Sequence, residues 1–251
     1  MRRIKLIVSY DGTNYSGFQI QPNAVTIEEE LNKALSDLCG EEVKVIGASR
    51  TDAGVHALMN VAVFDTDMRM AADKFAYALN QRLPSDIIIQ DSCEVPEDFH
   101  PRYASSIKTY EYRILNRKFP DPLLKNFTYP YYYELDVSAM NEAAGYFIGE
   151  HDFTSFSAVK AQVNTRVRTI YECSVTRDGD LITLRIKGNG FLYNMVRIIA
   201  GTLLKVGSHD LMPSDIPAIL EAKDREAAGP TAPPQGLVLI SIEYTGEEKC
   251  K

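Results

Sequence analysis

The sequence predicts an α+β fold built from two split-βαβ halves of ferredoxin-like type, residues 1–104 and 105–251. Three observations predict it. Apolar spacing in the first half runs strand, helix, strand, strand, helix, strand. A second unit of similar kind follows residue 105. Glycine, proline and capping residues fall at the junctions rather than inside the periodic segments.

Each element has a local reason. Residues 4–10 alternate and read as a strand. Thr26 is placed to cap a helix, with Glu28, Glu29 and Glu30 in the first turn, where the helix dipole favours negative charge. Ile27, Leu31, Ala34, Leu35 and Leu38 recur at helical spacing, and Gly40 ends the run. Strand-like runs at 43–46 and 60–64 enclose a polar loop with glycines at Gly47 and Gly54, read as sharp turns at both ends. A helix is predicted over 70–83, with Phe75, Ala78 and Leu79 inward and Pro84 as its stop; 87–90 is a short buried strand. In the second half 109–115 is a strand and the tyrosine-rich 127–135 a connection. Residues 138–148 form a helix with Met140, Ala144 and Phe147 on one face. Residues 170–176 and 181–188 pair around Arg177-Asp178-Gly179-Asp180, a hairpin signal. Residues 194–206 are a strongly apolar helix, 213–222 a short one, 229–236 a loop and 237–244 the last strand.

Composition narrows the function classes. With 251 residues the chain has enough length for a substantial core. The net charge of −7 argues against a wholly basic nucleic-acid-binding domain. RNA remains open, because affinity comes from a local basic surface rather than from the sum. Acidic runs such as 28–30 and 41–42 lie away from the motifs. Arg102, Lys108 and Arg113 surround Tyr110, and Lys160, Arg166 and Arg168 follow a Phe-Thr-Ser-Phe stretch. No apolar run is long enough for a signal peptide or a membrane span, so a cytoplasmic protein is expected. The four cysteines and four histidines are scattered, without metal-ligand spacing, and no metal site is expected.

The most informative stretch is Gly47-Ala48-Ser49-Arg50-Thr51-Asp52-Ala53-Gly54-Val55-His56-Ala57. It holds one carboxylate, Asp52, with a guanidinium two residues before it. A loop carboxylate beside a cation stays ionised and can act as a nucleophile. On its own an Asp-Ala-Gly sequence is also an ordinary turn.

The run 49–57 resembles the catalytic signature of the tRNA pseudouridine synthase A family, and further blocks agree in order. Tyr10-Asp11-Gly12-Thr13-Asn14-Tyr15-Ser16-Gly17-Phe18-Gln19 resembles the opening strand and turn. Asp98-Phe99-His100-Pro101-Arg102 and Lys108-Thr109-Tyr110-Glu111-Tyr112 resemble the segment bringing an active-site tyrosine. The blocks 147–156, 190–197 and 236–239 are similar too. The resemblance implies the pseudouridine synthase fold, with joined antiparallel or mixed sheets and an active site in a central cleft. It implies conversion of uridine to pseudouridine at positions 38–40 of the tRNA anticodon stem-loop, without a cofactor, by a homodimer with tRNA as partner. It implies Asp52 as nucleophile, with attack at ribose C1′ and at base C6 both open. Tyr110 would stack on the uracil and accept a proton, Arg197 would pair with Asp52, and Leu237 would pack against the base. Arg50 would help flip the base out. Arg102, Lys108, Lys160, Arg166 and Arg168 would meet RNA. His56 reads as a structural loop residue. Three positions depart from the family pattern: Ser49 replaces glycine, and Ser157 and Tyr193 stand where basic residues are common. These leave open a different RNA, such as ribosomal RNA. A silent RNA-binding protein has no need of the nucleophile, and a glycoside hydrolase needs a second carboxylate that no motif supplies.

Overall fold

A computed structural model describes residues 1–158 and 165–245. The chain divides into two compact units: Met1–Ser106 with the chain from Leu239 onward, and Ile107–Val238.

In the first unit the sheet runs β4 (Ile87–Val95), β1 (Arg2–Tyr10), β3 (His56–Thr66), β10 (Leu237–Tyr244), with the two-residue β2 (Ile46–Gly47) paired to β3. β1 is antiparallel to both β3 and β4. Alternation along β1 puts Ile4, Leu6, Val8 and Tyr10 on the buried face, as period two requires. Helix α1 (Ile27–Cys39) begins where expected: Thr26 Oγ1 accepts the Glu29 N–H at 3.3 Å. It ends at Gly40, whose φ of 72° is left-handed. Its buried stripe is Ile27, Leu31, Ala34 and Leu35. Helix α2 (Lys74–Leu79) buries Phe75, which meets Phe64 of β3 edge-on at 5.3 Å.

Helix α2 is shorter than the predicted 70–83, for a tertiary reason. The Asn80 amide pairs both ways with the backbone of Ile89 in β4, at 2.9 and 2.8 Å, and so anchors the chain to the sheet there. β4 in turn runs to Val95, beyond the predicted 87–90. The 43–46 strand reduces to β2, because the Val43 and Val45 N–H groups donate to Ser36 Oγ and Asn32 Oδ1 of α1 instead of to a ladder.

In the second unit β5 (Ser106–Asn116), β9 (Leu181–Gly188), β8 (Val167–Asp178) and β7 (Gly149–Asp152) form an antiparallel series. The short β6 (Tyr129–Tyr131), inside the segment read as a connection, runs parallel to β5. Helices α3 (Val137–Gly145), α4 (Met195–Gly207) and α5 (Ile216–Ala222) complete it. The apolar α4 buries Met195, Val196, Ile198, Ile199 and Leu203. Phe147, Phe153 and Phe156 cluster nearby in the core, with Phe147 edge-on to Phe156 at 5.0 Å. Tyr112, fully buried, donates to the Pro233 carbonyl at 2.8 Å. Among the described residues no helix is long and apolar enough to cross a membrane.

Candidate active site

The stretch 47–57 is a tightly tied loop between β2 and β3. The Ala48 N–H bonds the Val61 carbonyl at 2.8 Å, and the Val55 N–H bonds the Asp52 carbonyl at 3.2 Å. The opening block 10–19 clasps it from one side. Phe18 N–H donates to the Thr51 carbonyl at 3.0 Å, and Gly54 N–H to the Tyr15 carbonyl at 3.2 Å. Two glycines of that block exist for this contact. A Cβ on Gly12 would fall 2.1 Å from the Val55 oxygen. Gly17 has φ +94° and would place a Cβ 2.7 Å from the Thr51 oxygen. Two motifs well apart in sequence therefore make one rigid piece.

Within the loop Gly54 turns the chain at φ 75°, as the sequence suggests. Gly47 does not: it lies in β2, and a Cβ there would meet the Phe18 ring at 2.2 Å, so packing demands the glycine. Asp52 is half-buried and Arg50 exposed, with Arg50 Nη1 3.4 Å from Gln19 Oε1. His56 is buried at the start of β3, and its Nδ1 lies 3.0 Å from the Gly12 N and 3.1 Å from Asp11 Oδ1. The Gly12 N–H donates to Nδ1. His56 thus orients the Gly12 turn. Arg102 reaches the same piece, donating to the Gly47 carbonyl at 3.2 Å.

The second unit holds the other predicted residues. Tyr110 is buried in β5, opposite Ile186, with its ring edge-on to Phe191 at 5.1 Å. Phe191 had no assigned role; its place in the block 190–197 was the available signal. Lys108 is half-buried on the same strand. Arg197, on α4, is half-buried; Nε donates to the Ala232 carbonyl at 2.8 Å and Nη1 to Asn194 Oδ1 at 3.0 Å. The Ala232 N–H returns a bond to the Arg197 carbonyl at 3.0 Å. Leu237 is buried at the start of β10.

Arg168, on β8, donates to the carbonyls of Thr165 and Val167. Burial lowers its pKa, and no carboxylate pairs with it among the described residues. Arg166 is half-buried, its carbonyl taking the Phe153 N–H at 3.0 Å. Lys160 lies outside the described residues. Of the departures, Tyr193 is exposed, whereas Ser157 is 3% exposed with Oγ on its neighbour's carbonyl. Among the described residues no cluster of His, Cys, Asp and Glu is arranged to hold a metal ion.

The chain matches the family model described as tRNA pseudouridine synthase over residues 6–104 and 143–245. It belongs to that family. A tRNA pseudouridine synthase A of Ruminiclostridium cellulolyticum is 52% identical over 245 residues, covering 97% of this chain and 100% of the relative. Proteins of the same name from Thermoanaerobacter sp. and Caldicellulosiruptor bescii are 49% and 50% identical over 244 residues, each covering 97% of this chain and 100% of its own. A member of this family is an isomerase acting on tRNA, and the α+β architecture above is that of a pseudouridine synthase. The two matched stretches leave out residues 105–142, where Tyr110 lies.

Proposed function

We propose that this tRNA pseudouridine synthase isomerises uridine at positions 38–40 of the anticodon stem-loop, with Asp52 as its nucleophile. The observation that carries the reading is the clasp just described. The only carboxylate of the loop stands on a backbone that the opening block holds at Thr51 and at Gly54, and fixed geometry is what covalent catalysis needs. The reaction breaks the N1–C1′ bond and makes a C5–C1′ bond. N1 gains a proton and C5 loses one, so nothing is oxidised and no cofactor is consumed. A carboxylate suits the task because its covalent adduct is labile. Attack at C1′ and attack at C6 both fit this balance.

In this reading Arg197 is the counter-charge of Asp52, and its side-chain bonds to the Ala232 carbonyl and Asn194 give it a defined direction. Tyr110 stacks on the uracil and takes the C5 proton, with Phe191 holding the ring edge-on. Leu237 packs against the base. Arg50, exposed beside Asp52, fills the space left by the flipped nucleotide. Arg102, Lys108, Lys160, Arg166 and Arg168 contact phosphates, and Arg168 is the strongest of them, since a half-buried guanidinium with no carboxylate partner among the described residues calls for an anion. The enzyme works as a cytoplasmic homodimer, which sedimentation of the purified protein tests.

The test is tritium release from tRNA labelled at uridine C5. Wild type releases tritium, and Asp52→Asn releases none while still binding tRNA. Equal release by the variant refutes the mechanism. Release only from labelled ribosomal RNA refutes the substrate.

A further inference from the structure

Beneath the loop lies a buried polar group that the reaction as described leaves unused. Tyr10 ends β1, Asn60 lies in β3, and both are within the apolar face of the sheet, at 5% and 0% exposure. Asn60 Nδ2 donates to the Ser49 carbonyl at 3.0 Å and to the Tyr10 hydroxyl at 3.1 Å. Asn60 Oδ1 accepts the Val61 N–H at 2.9 Å, and these partners fix which end of the amide is which. The Tyr10 hydroxyl shares a further hydrogen bond with Thr51 Oγ1, at 2.7 Å. The chain of contacts thus touches the loop at Ser49 and Thr51, the second of them adjacent to Asp52.

A break in the ladder aims Tyr10 at this point. Val8 faces Asn60 but Tyr10 faces Ala57, so β3 carries an extra residue there. Leu58 and Met59 are both exposed there, between residues 56–57 and 60–64, which are buried. A bulge of this kind turns the following side chain out of its regular direction. Buried polar groups satisfied on every side hold one geometry, because any other leaves a donor or acceptor unpaired in an apolar setting.

We propose that Tyr10 and Thr51, hydrogen-bonded to each other and tied to Asn60 through the Tyr10 hydroxyl, are positioning residues for the reaction: they set the backbone at position 52 and so the direction of its carboxylate. The proposal rests on the reading of Asp52 as nucleophile. They act through the loop and not on the nucleotide, so their loss lowers the chemical rate rather than RNA affinity.

The experiment compares Tyr10→Phe, Thr51→Val and Thr51→Ser in single-turnover tritium release and in tRNA binding, with thermal melts of each and Asp52→Asn alongside. Both hydroxyl deletions nearly keep side-chain volume, and the melts read whether the fold is kept. Each is expected to lower the single-turnover rate by about 10- to 100-fold, since displacement of about an ångström costs up to about 100-fold. The tRNA Kd stays within about two-fold, and Thr51→Ser recovers most of the rate lost in Thr51→Val. The double variant Tyr10→Phe/Thr51→Val loses no more than the worse single one, because both remove the same bond. Wild-type rates in Tyr10→Phe, equal losses in Thr51→Ser and Thr51→Val, or a rate loss matched by loss of binding or of folded protein overturn the proposal. Activity in Asp52→Asn instead overturns the reading beneath it.

Discussion

Replacing Gly12 with alanine isolates the clasp between the opening block and the Asp52 loop. The added Cβ would lie 2.1 Å from the Val55 oxygen, where real Cβ contacts essentially never come under 3.0 Å. The neighbour is backbone and cannot rotate away, so the turn or the loop must give by about an ångström, a displacement that costs up to about 100-fold in rate when it reaches the reacting group. Val55 is 1% exposed, and its amide bonds the Asp52 carbonyl; motion at Val55 therefore reaches Asp52 directly. Overpacking of this kind also costs about 1–3 kcal/mol of stability. The assay is single-turnover tritium release at a temperature where the variant is folded, with urea unfolding alongside. Gly145→Ala is the control: it has nothing within 4 Å of an added Cβ and sits at the end of α3, so it keeps full activity. A Gly12→Ala enzyme within about three-fold of the wild-type rate would refute the argument that this contact holds the loop.

Further outcomes follow from local chemistry. Thr26→Ala removes the α1 cap and should lower stability by about 1 kcal/mol, read by urea unfolding. Burial raises the Tyr112 pKa, with Tyr129 adding to it and Arg197 opposing it. The neutral phenol therefore favours the fold, and that stability is full below the ordinary tyrosine pKa of 10.0 and lost as pH rises above it. Melts across this range should fall less steeply in Tyr112→Phe. Asp152 is shifted the other way, chiefly by the Thr154 hydroxyl and then by Lys223. Its contribution is present above pH 3.8 and disappears as pH falls through the depressed value. Asp152→Asn should be less stable than wild type near neutrality and equal to it at pH about 2, checked by denaturant melts at each pH.

What could be read from the sequence depended on how local its cause was. Thr26 and Gly40 mark the ends of α1 because caps act within a few residues. The hairpin around Gly179 and the strand over 237–244 announce themselves in the same way. α2 ends early because Asn80 is held by Ile89, a partner no spacing rule reveals. β7, Gly149–Asp152, has the polar sequence Gly-Glu-His-Asp and no alternation; pairing with β8 makes it a strand. At the candidate site the physics of residues 47–57 permitted a turn as readily as a nucleophile, and only resemblance singled out Asp52. The roles of Tyr10, Thr51 and Asn60 are not legible in the sequence, because their hydrogen bonds join positions 41 and 50 residues apart. One hint existed: an asparagine set within the apolar run 60–64.

The first unit takes its fourth strand from the far end of the chain, since β10 lies beside β3 and residues from Leu239 onward belong with 1–106. Order of synthesis and order of assembly therefore differ. On the ribosome, β1, β2, β3 and β4 emerge first, and the part of β3 that β10 will cover stays open while residues 107–236 are made. An uncovered strand edge invites pairing with other chains. The Asp52 loop reaches its finished surroundings only once residues 237–244 have been made, so a nascent chain arrested before residue 239 carries the loop but not the complete sheet beside it.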